Sequence, residues 1–233
     1  MDCGVKPSVV ALAMQTASIS RPRYIIDRYI EAFNAQGYEN LYLAGFYWEN
    51  EAISVDTPAE DIELVKQFNA YAHEKGFKTF WVPYFDANYY YYWDQLGFDL
   101  ACMQSNYSFT VIDEQRLYAH AWLCWVNGLS AELEIEDYKS KAGTDKYKAY
   151  LECGVKTGYA DSVNVYYQGG IPGAIFSSKD YNDDEFGVYR DPCLYASGEM
   201  PADYYEPAGA GLEGLPAELT LETTAGKAVE FTL

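Results

Sequence analysis

Histidine is nearly absent: His73 and His120 are the only two in 233 residues, and both sit inside helical patterns. A zinc site of the usual kind needs more imidazole or thiolate ligands than that. Cysteine is sparse as well. Cys3, Cys102, Cys124, Cys153 and Cys193 are widely spaced without a CxxC pair, which argues against a thiolate cluster and makes reduced core thiols the expected state. Basic residues number 16 against 35 acidic ones, and the resulting charge of −19 is spread along the chain instead of gathered in a tail. That field opposes phosphate backbones and anionic bilayers, so neither nucleic acid nor a membrane is an expected partner. Long apolar runs are also lacking, since no window approaches the roughly 18 residues of a spanning helix. Val9–Met14, six apolar residues behind Asp2 and Lys6, is too short and wrongly flanked for a signal peptide.

What is present belongs to a packed domain: 49% of residues are hydrophobic, 22% are charged, and 24 are tyrosine. The repeating grammar is a short apolar run, a loop, then an amphipathic helix, the signature of βα units and a parallel sheet. Six runs read as strands: Val9–Gln15, Leu41–Trp48, Thr79–Tyr84, Leu100–Gln104, Ser130–Glu136 and Val163–Gln168. Most are nearly continuous in apolar residues, as strands covered on both faces must be. Ser20 and Pro22 open a first predicted helix that stops at Gly37, and Thr57-Pro58-Ala59-Glu60 reads as a capping box for a second that stops at Gly76. A third spans about Asp113 to Asn127 and a fourth about Thr144 to Thr157, each closed by glycine, with Trp122 and Trp125 read as core residues.

The strands begin from about residue 8 to about residue 163, so five spacings cover 155 residues at 31 apiece. Eight such units come close to the roughly 250 residues of a (β/α)8 barrel. The expected fold is therefore α/β and TIM-barrel-like but incomplete, with about six units that count as strands three to eight, over residues 1–190. Residues 191–233 read as a linker and a short β-rich segment, with a hairpin around Ala225-Gly226. The literal GxGxxG at Gly209–Gly214 has no preceding strand and no following helix, so it reads as chance, and no cofactor is expected. An unclosed barrel leaves a strand edge, which invites self-association.

In parallel α/β folds the reactive groups sit at the carboxyl ends of strands. There the sequence places Glu49-Asn50-Glu51 directly after Trp48, and Glu132, Glu134 and Glu136 at period two on one strand face. Burying three aligned carboxylates is costly without partners, so they are expected to face a polar cleft. With Glu51 ending strand four and Glu132–Glu134 on strand seven, the layout resembles retaining glycosidases of the large barrel superfamily known as clan A. Their chemistry needs one neutral and one ionised carboxyl about 5 Å apart. Glu51 is then the expected general acid/base, and Glu134, or else Glu132, the nucleophile. Trp48, Trp81, Tyr84, Tyr107, Tyr166 and Tyr167 lie at or near strand ends as candidate stacking surfaces, with Asn50, Gln104, Asn106 and Gln168 as hydrogen-bonding groups.

Five motifs in order also resemble the DUF4855 family, a domain of unknown function found in bacterial, often secreted, multidomain proteins related to glycoside-hydrolase barrels. They are Gly45-Phe46-Tyr47-Trp48 with Glu51, Trp81-Val82-Pro83-Tyr84-Phe85, Trp93 with Leu96-Gly97-Phe98-Asp99, Gln104 with Asn106-Tyr107, and Glu132-Leu133-Glu134. The resemblance covers about residues 8–175. The chain departs from it at Ser105, where the family usually has proline, and at Asn88-Tyr89, where a glycine is usual. The resemblance implies a barrel, a carbohydrate substrate or ligand, and an extracellular or periplasmic parent protein. A noncatalytic carbohydrate-binding or scaffold domain is the alternative. A hydrolase using Glu49, Glu51, Glu132 and Glu134 as oxygen ligands for a metal ranks behind both, since histidine is scarce.

Overall fold

The computed structural model describes residues 22–169 and 188–200, together with the backbone of strands 9–14, 218–222 and 228–232. Ser20, Cys3 and the Gly209–Gly214 motif lie outside the described residues. The chain forms two compact units, Met1–Glu199 and Met200–Leu233. In the first, the order is β1 (Val9–Met14), α1 (Pro22–Ala35), β2 (Tyr42–Trp48), α2 (Pro58–Glu74), β3 (Lys78–Trp81), β4 (Leu100–Gln104), α3 (Gln115–Asn127), β5 (Ser130–Glu134), α4 (Lys141–Thr157), β6 (Asn164–Tyr167) and α5 (Arg190–Ser197). A 3-10 turn at Tyr90–Tyr92 takes the place of a helix between β3 and β4. The second unit holds β7 (Glu218–Glu222) and β8 (Ala228–Thr232), paired antiparallel from Glu218↔Thr232 to Glu222↔Ala228.

All six strands of the first unit are parallel, and their order in the sheet is their order in the chain. Right-handed crossovers that always step in one direction place every helix on the same face of a sheet. The opposite face is shielded only if the sheet curls. β5, buried at all five positions, shows that both faces are covered. This is an α/β fold with a curled parallel sheet, compatible with an incomplete barrel.

Strand parity divides the core. Phe46 and Trp48 of β2, Trp81 of β3 and Met103 of β4 join Val65 and Phe68 of α2 in one hydrophobic cluster on the helix side. Tyr47 and Phe80, one position off, stack on each other with centroids 4.9 Å apart on the inner side. Gly45 also has to be glycine. A Cβ there would meet the Lys78 carbonyl oxygen of β3 at 2.1 Å.

The helix ends show where local signals held. Gly128, at φ 66°, closes α3 as the sequence predicts, with Leu129 N donating back to Cys124 O at 2.8 Å. The capping box at α2 does not form. Thr57 makes no side-chain cap; its own N–H and hydroxyl turn instead to Ser54 Oγ, and Asp61 accepts from Ser54 N at 2.8 Å. Trp122 and Trp125, expected in the core, stand 61% and 81% exposed on the outer face of α3. The inward face of that helix is taken by Leu117, His120, Ala121 and Cys124, leaving the tryptophans on the opposite side. Cys102, Cys124 and Cys153 are buried free thiols, whereas Cys193 is disulfide-bonded, which corrects the expectation of reduced thiols at that position.

Candidate active site

β4 and β5 bring the acids together. Gln104 pairs in register with Glu132, and Cys102 with Ser130, so all four share the inner face with Glu134 one step further on. Ala131, Leu133 and Ile135 take the opposite parity and are fully buried. Glu132 is 8% exposed and Glu134 1%.

The two glutamates live in different surroundings. Beyond Gln104 the chain turns sharply at Asn106, which adopts a left-handed conformation at φ 55°, one that asparagine tolerates. This turn points the Asn106 N–H at Glu134 Oε2, 2.7 Å away. Tyr150 of α4 donates its hydroxyl to the same oxygen at 2.5 Å. Ser105 Oγ has one proton to divide between Glu134 Oε2 at 3.3 Å and the Tyr150 hydroxyl at 2.7 Å. Oε1 accepts no hydrogen bond among the described residues. Burial raises the proton affinity of Glu134, the Tyr150, Asn106 and Ser105 bonds oppose that rise, and the charge of Glu51 adds to it, for a net upward shift. Glu132 has no hydrogen-bond or ion-pair partner among the described residues. Burial first, then the charges of Glu134 and Glu51, push it up to about 8.

Glu51 lies exposed in the loop after β2, three strands from β5 along the sheet. On a flat sheet that is roughly 14 Å. Its charge nevertheless bears on both Glu132 and Glu134, and on Tyr47, whose hydroxyl is pushed up by burial and then by Glu132, Glu51 and Glu49. The curl of the sheet shortens that flat-sheet span. The loop is stitched to its neighbour: Tyr84 N donates to Glu51 O at 3.2 Å, and Trp81 Nε1 donates to Asn50 O at 2.6 Å.

The other candidates separate into a wall and a support. Trp48 and Trp81 are buried on the helix side, against Phe68 and Phe98 respectively, and hold the site from behind. Gln104 Nε2 donates to Val82 O at 3.1 Å, and its Oε1 accepts from Asn106 Nδ2 at 2.9 Å, while Asn106 Oδ1 accepts from Phe85 N at 3.1 Å. Both amides thus fix the loops. Tyr107 is buried edge-on against Tyr150, and Tyr166 is half-buried. Tyr84 and Tyr167 are exposed, and Tyr167 sits edge-to-face with Phe109 at 5.7 Å; Gln168 follows it, partly buried.

Two cations brace the β4 loop. Arg116 Nε donates to Ser105 O at 2.6 Å with its guanidinium 4.0 Å from the Phe85 ring centre. Lys146 Nζ reaches the carbonyls of Tyr107, Ser108 and Thr110 at 3.3, 3.1 and 2.7 Å. Sequence reading missed Tyr150, Ser105 and Lys146 as partners of the site. The one available signal was Ser105 itself, which places a hydroxyl where the resemblance has a proline. Among the described residues no three of His, Cys, Asp and Glu converge to hold a metal ion.

A parallel sheet wound in one direction, with in-phase acids at the carboxyl end of one strand, defines a class of α/β domain. The chain belongs to the family described as domain of unknown function (DUF4855), whose family model matches residues 11–192. No curated protein matches it.

Proposed function

We propose that this is a glycoside-hydrolase-like domain of an incomplete (β/α)8 barrel, acting on a polysaccharide or glycan by a two-carboxylate, retaining mechanism. The observation that carries the reading is the state of Glu134. Donors converge on Oε2 and hold that oxygen in place, while Oε1 accepts no hydrogen bond among the described residues, the arrangement of a carboxylate set to attack an anomeric carbon. Glu51, in the facing loop, is the general acid/base that protonates the leaving oxygen and then activates water. Tyr84 and Tyr167 supply sugar-stacking surface at the mouth. The parent protein acts outside the cytoplasm, in keeping with a polymeric glycan substrate.

A noncatalytic carbohydrate-binding domain is the second reading. Its support is that the Glu134 bonds also clamp the loop after β4, a task that needs no turnover. The test is release of reducing sugar from a broad glycan panel by the intact chain and by Glu51→Gln and Glu134→Gln. Loss of turnover in Glu134→Gln, with aryl glycosides of good leaving groups spared only in Glu51→Gln, is the expected result. Binding without any turnover by the intact chain would establish the second reading instead.

A further inference from the structure

A two-carboxylate mechanism leaves Glu132 without a task. It shares the inner face with Glu134, is more than nine-tenths buried, and receives no hydrogen bond or ion pair among the described residues. A buried carboxyl without a partner calls for an explanation, and one is a group from outside the protein that completes it. The two described cations that brace the β4 loop are already committed, Arg116 to the Ser105 carbonyl and Phe85 ring, and Lys146 to three loop carbonyls. The charged side chains that act on Glu132 are Glu134 and Glu51, and Glu132 in turn acts on Tyr47 and Cys102. Every described group in that set is neutral or negative, a field that favours a cation as the partner of Glu132.

We propose that Glu132 binds an ammonium group of the substrate, and that the substrate class is a glycan carrying free amino groups, a hexosamine polymer. This rests on the glycosidase-like reading of the cleft and adds to it the identity of the sugar. A protonated amine next to the reacting ring satisfies the vacant carboxylate. The charge of −19 then favours approach of a polycation and opposes polyuronates and sulfated glycans. Glu132 holds its proton near neutral pH, because of burial and then of Glu134 and Glu51, so an arriving ammonium drives that proton into solvent.

The test uses titration calorimetry on the intact chain at pH 7 with oligomers of glucosamine and of galactosamine, their N-acetylated forms, and oligogalacturonates of equal length. Expected are binding of an amine-bearing oligomer at least about tenfold tighter than its acetylated form, weakening with salt, and release of close to one proton per site, read from buffers of different ionisation enthalpy. Glu132→Gln should erase both the preference and the proton release. The inference is overturned if acetylated and free-amine oligomers bind alike, if the anionic oligomer binds best, or if Glu132→Gln keeps the preference while circular dichroism shows it folded. Hydrolysis of a neutral glycan with no preference for amines would leave the glycosidase reading standing and remove this one. Neither binding nor hydrolysis of any glycan would remove both.

Discussion

Replacing Glu132 with glutamine should make the protein more stable at alkaline pH, by an amount that vanishes and then reverses on acidification. In the unfolded chain a glutamate ionises near its ordinary value of 4.5, whereas in the fold Glu132 keeps its proton to about 8. Between these values the folded state binds more protons than the unfolded one, so stability falls as pH rises, and above about 8 the full cost is present. The interval is 3.5 pH units, so at about 1.36 kcal/mol per unit the ceiling is about 5 kcal/mol. Glutamine has the same shape and does not ionise, but its buried amide without a partner costs about 1 kcal/mol at every pH. The expected balance for Glu132→Gln is a loss of about 1 kcal/mol at pH 4 and a gain of about 2 to 4 kcal/mol at pH 8.5. Urea unfolding followed by tryptophan fluorescence at four pH values between these limits measures it, with unchanged slopes as the check on two-state behaviour. A difference between variant and parent that does not change with pH would refute the electrostatic reasoning, whatever its sign.

Tyr150→Phe removes the hydroxyl that donates to Glu134 and accepts from Ser108 N at 3.2 Å. It should cost about 1 to 3 kcal/mol in chemical unfolding and move the acid limb of any pH–rate profile upward, because Glu134 loses a bond that favours its ionised form. Lys146→Met keeps the aliphatic stem but uncaps three carbonyls, so it should cost about 2 kcal/mol and raise amide exchange in residues 105–110 above the rest of the chain. At the other end of the sheet Asp99, partly solvated, accepts from Thr79 N, Lys78 and His73. Burial raises its proton affinity, but Lys78, Thr79 N and His73 outweigh it and hold the carboxyl below its usual 3.8. Asp99→Asn should therefore cost about 1 kcal/mol at pH 7, and the cost should disappear only as pH falls through that lowered value, in thermal melts at pH 7, 4 and 2.5. Trp122→Ser and Trp125→Ser, on the exposed face of α3, should change stability by no more than about 0.5 kcal/mol, against about 3 kcal/mol or more for Trp48→Ala in the core.

The strands were legible because a strand covered on both faces must be almost continuously apolar, a pattern that survives without knowledge of its neighbours. Leu100–Gln104 matches to the residue, while Thr79–Tyr84 shortens to Lys78–Trp81, since Pro83 cannot donate to a ladder. Helix faces were less legible. Trp122 and Trp125 look like core by residue type alone, and only the packing of Leu117 and Cys124 against the sheet decides which side of α3 is inside. Cys193 and the capping box departed from expectation for related reasons: each depends on a partner chosen by tertiary structure, Ser54 in the case of Thr57. The acids of β5 were visible by period two, but Tyr150 was not, because it reaches Glu134 from a helix 16 residues on with nothing in the sequence to mark it.

The different fates of Glu132 and Glu134 follow from where β4 stops. Gln104 is the last residue of β4 and lies in register with Glu132. Alongside a continuing strand the neighbouring N–H groups are spent in the ladder, so no backbone donor of β4 is free to turn to Glu132. Two residues later β5 has outrun β4, and the neighbouring chain is free to turn. The turn at Asn106 releases an amide N–H from the ladder and points it at Glu134, and Ser105 and Tyr150 close around the same oxygen. An extension of β4 through Asn106 would return that N–H to the ladder and take one donor away from Glu134. The proline usual at position 105 in the family resemblance would end the strand at the same point but bring no hydroxyl, so Ser105→Pro should keep the turn and loosen Glu134. In a pH titration of the Glu134 carboxyl by NMR, that variant should show a higher midpoint than the parent; an unchanged midpoint would mean that the Asn106 and Tyr150 donors alone set the state of Glu134.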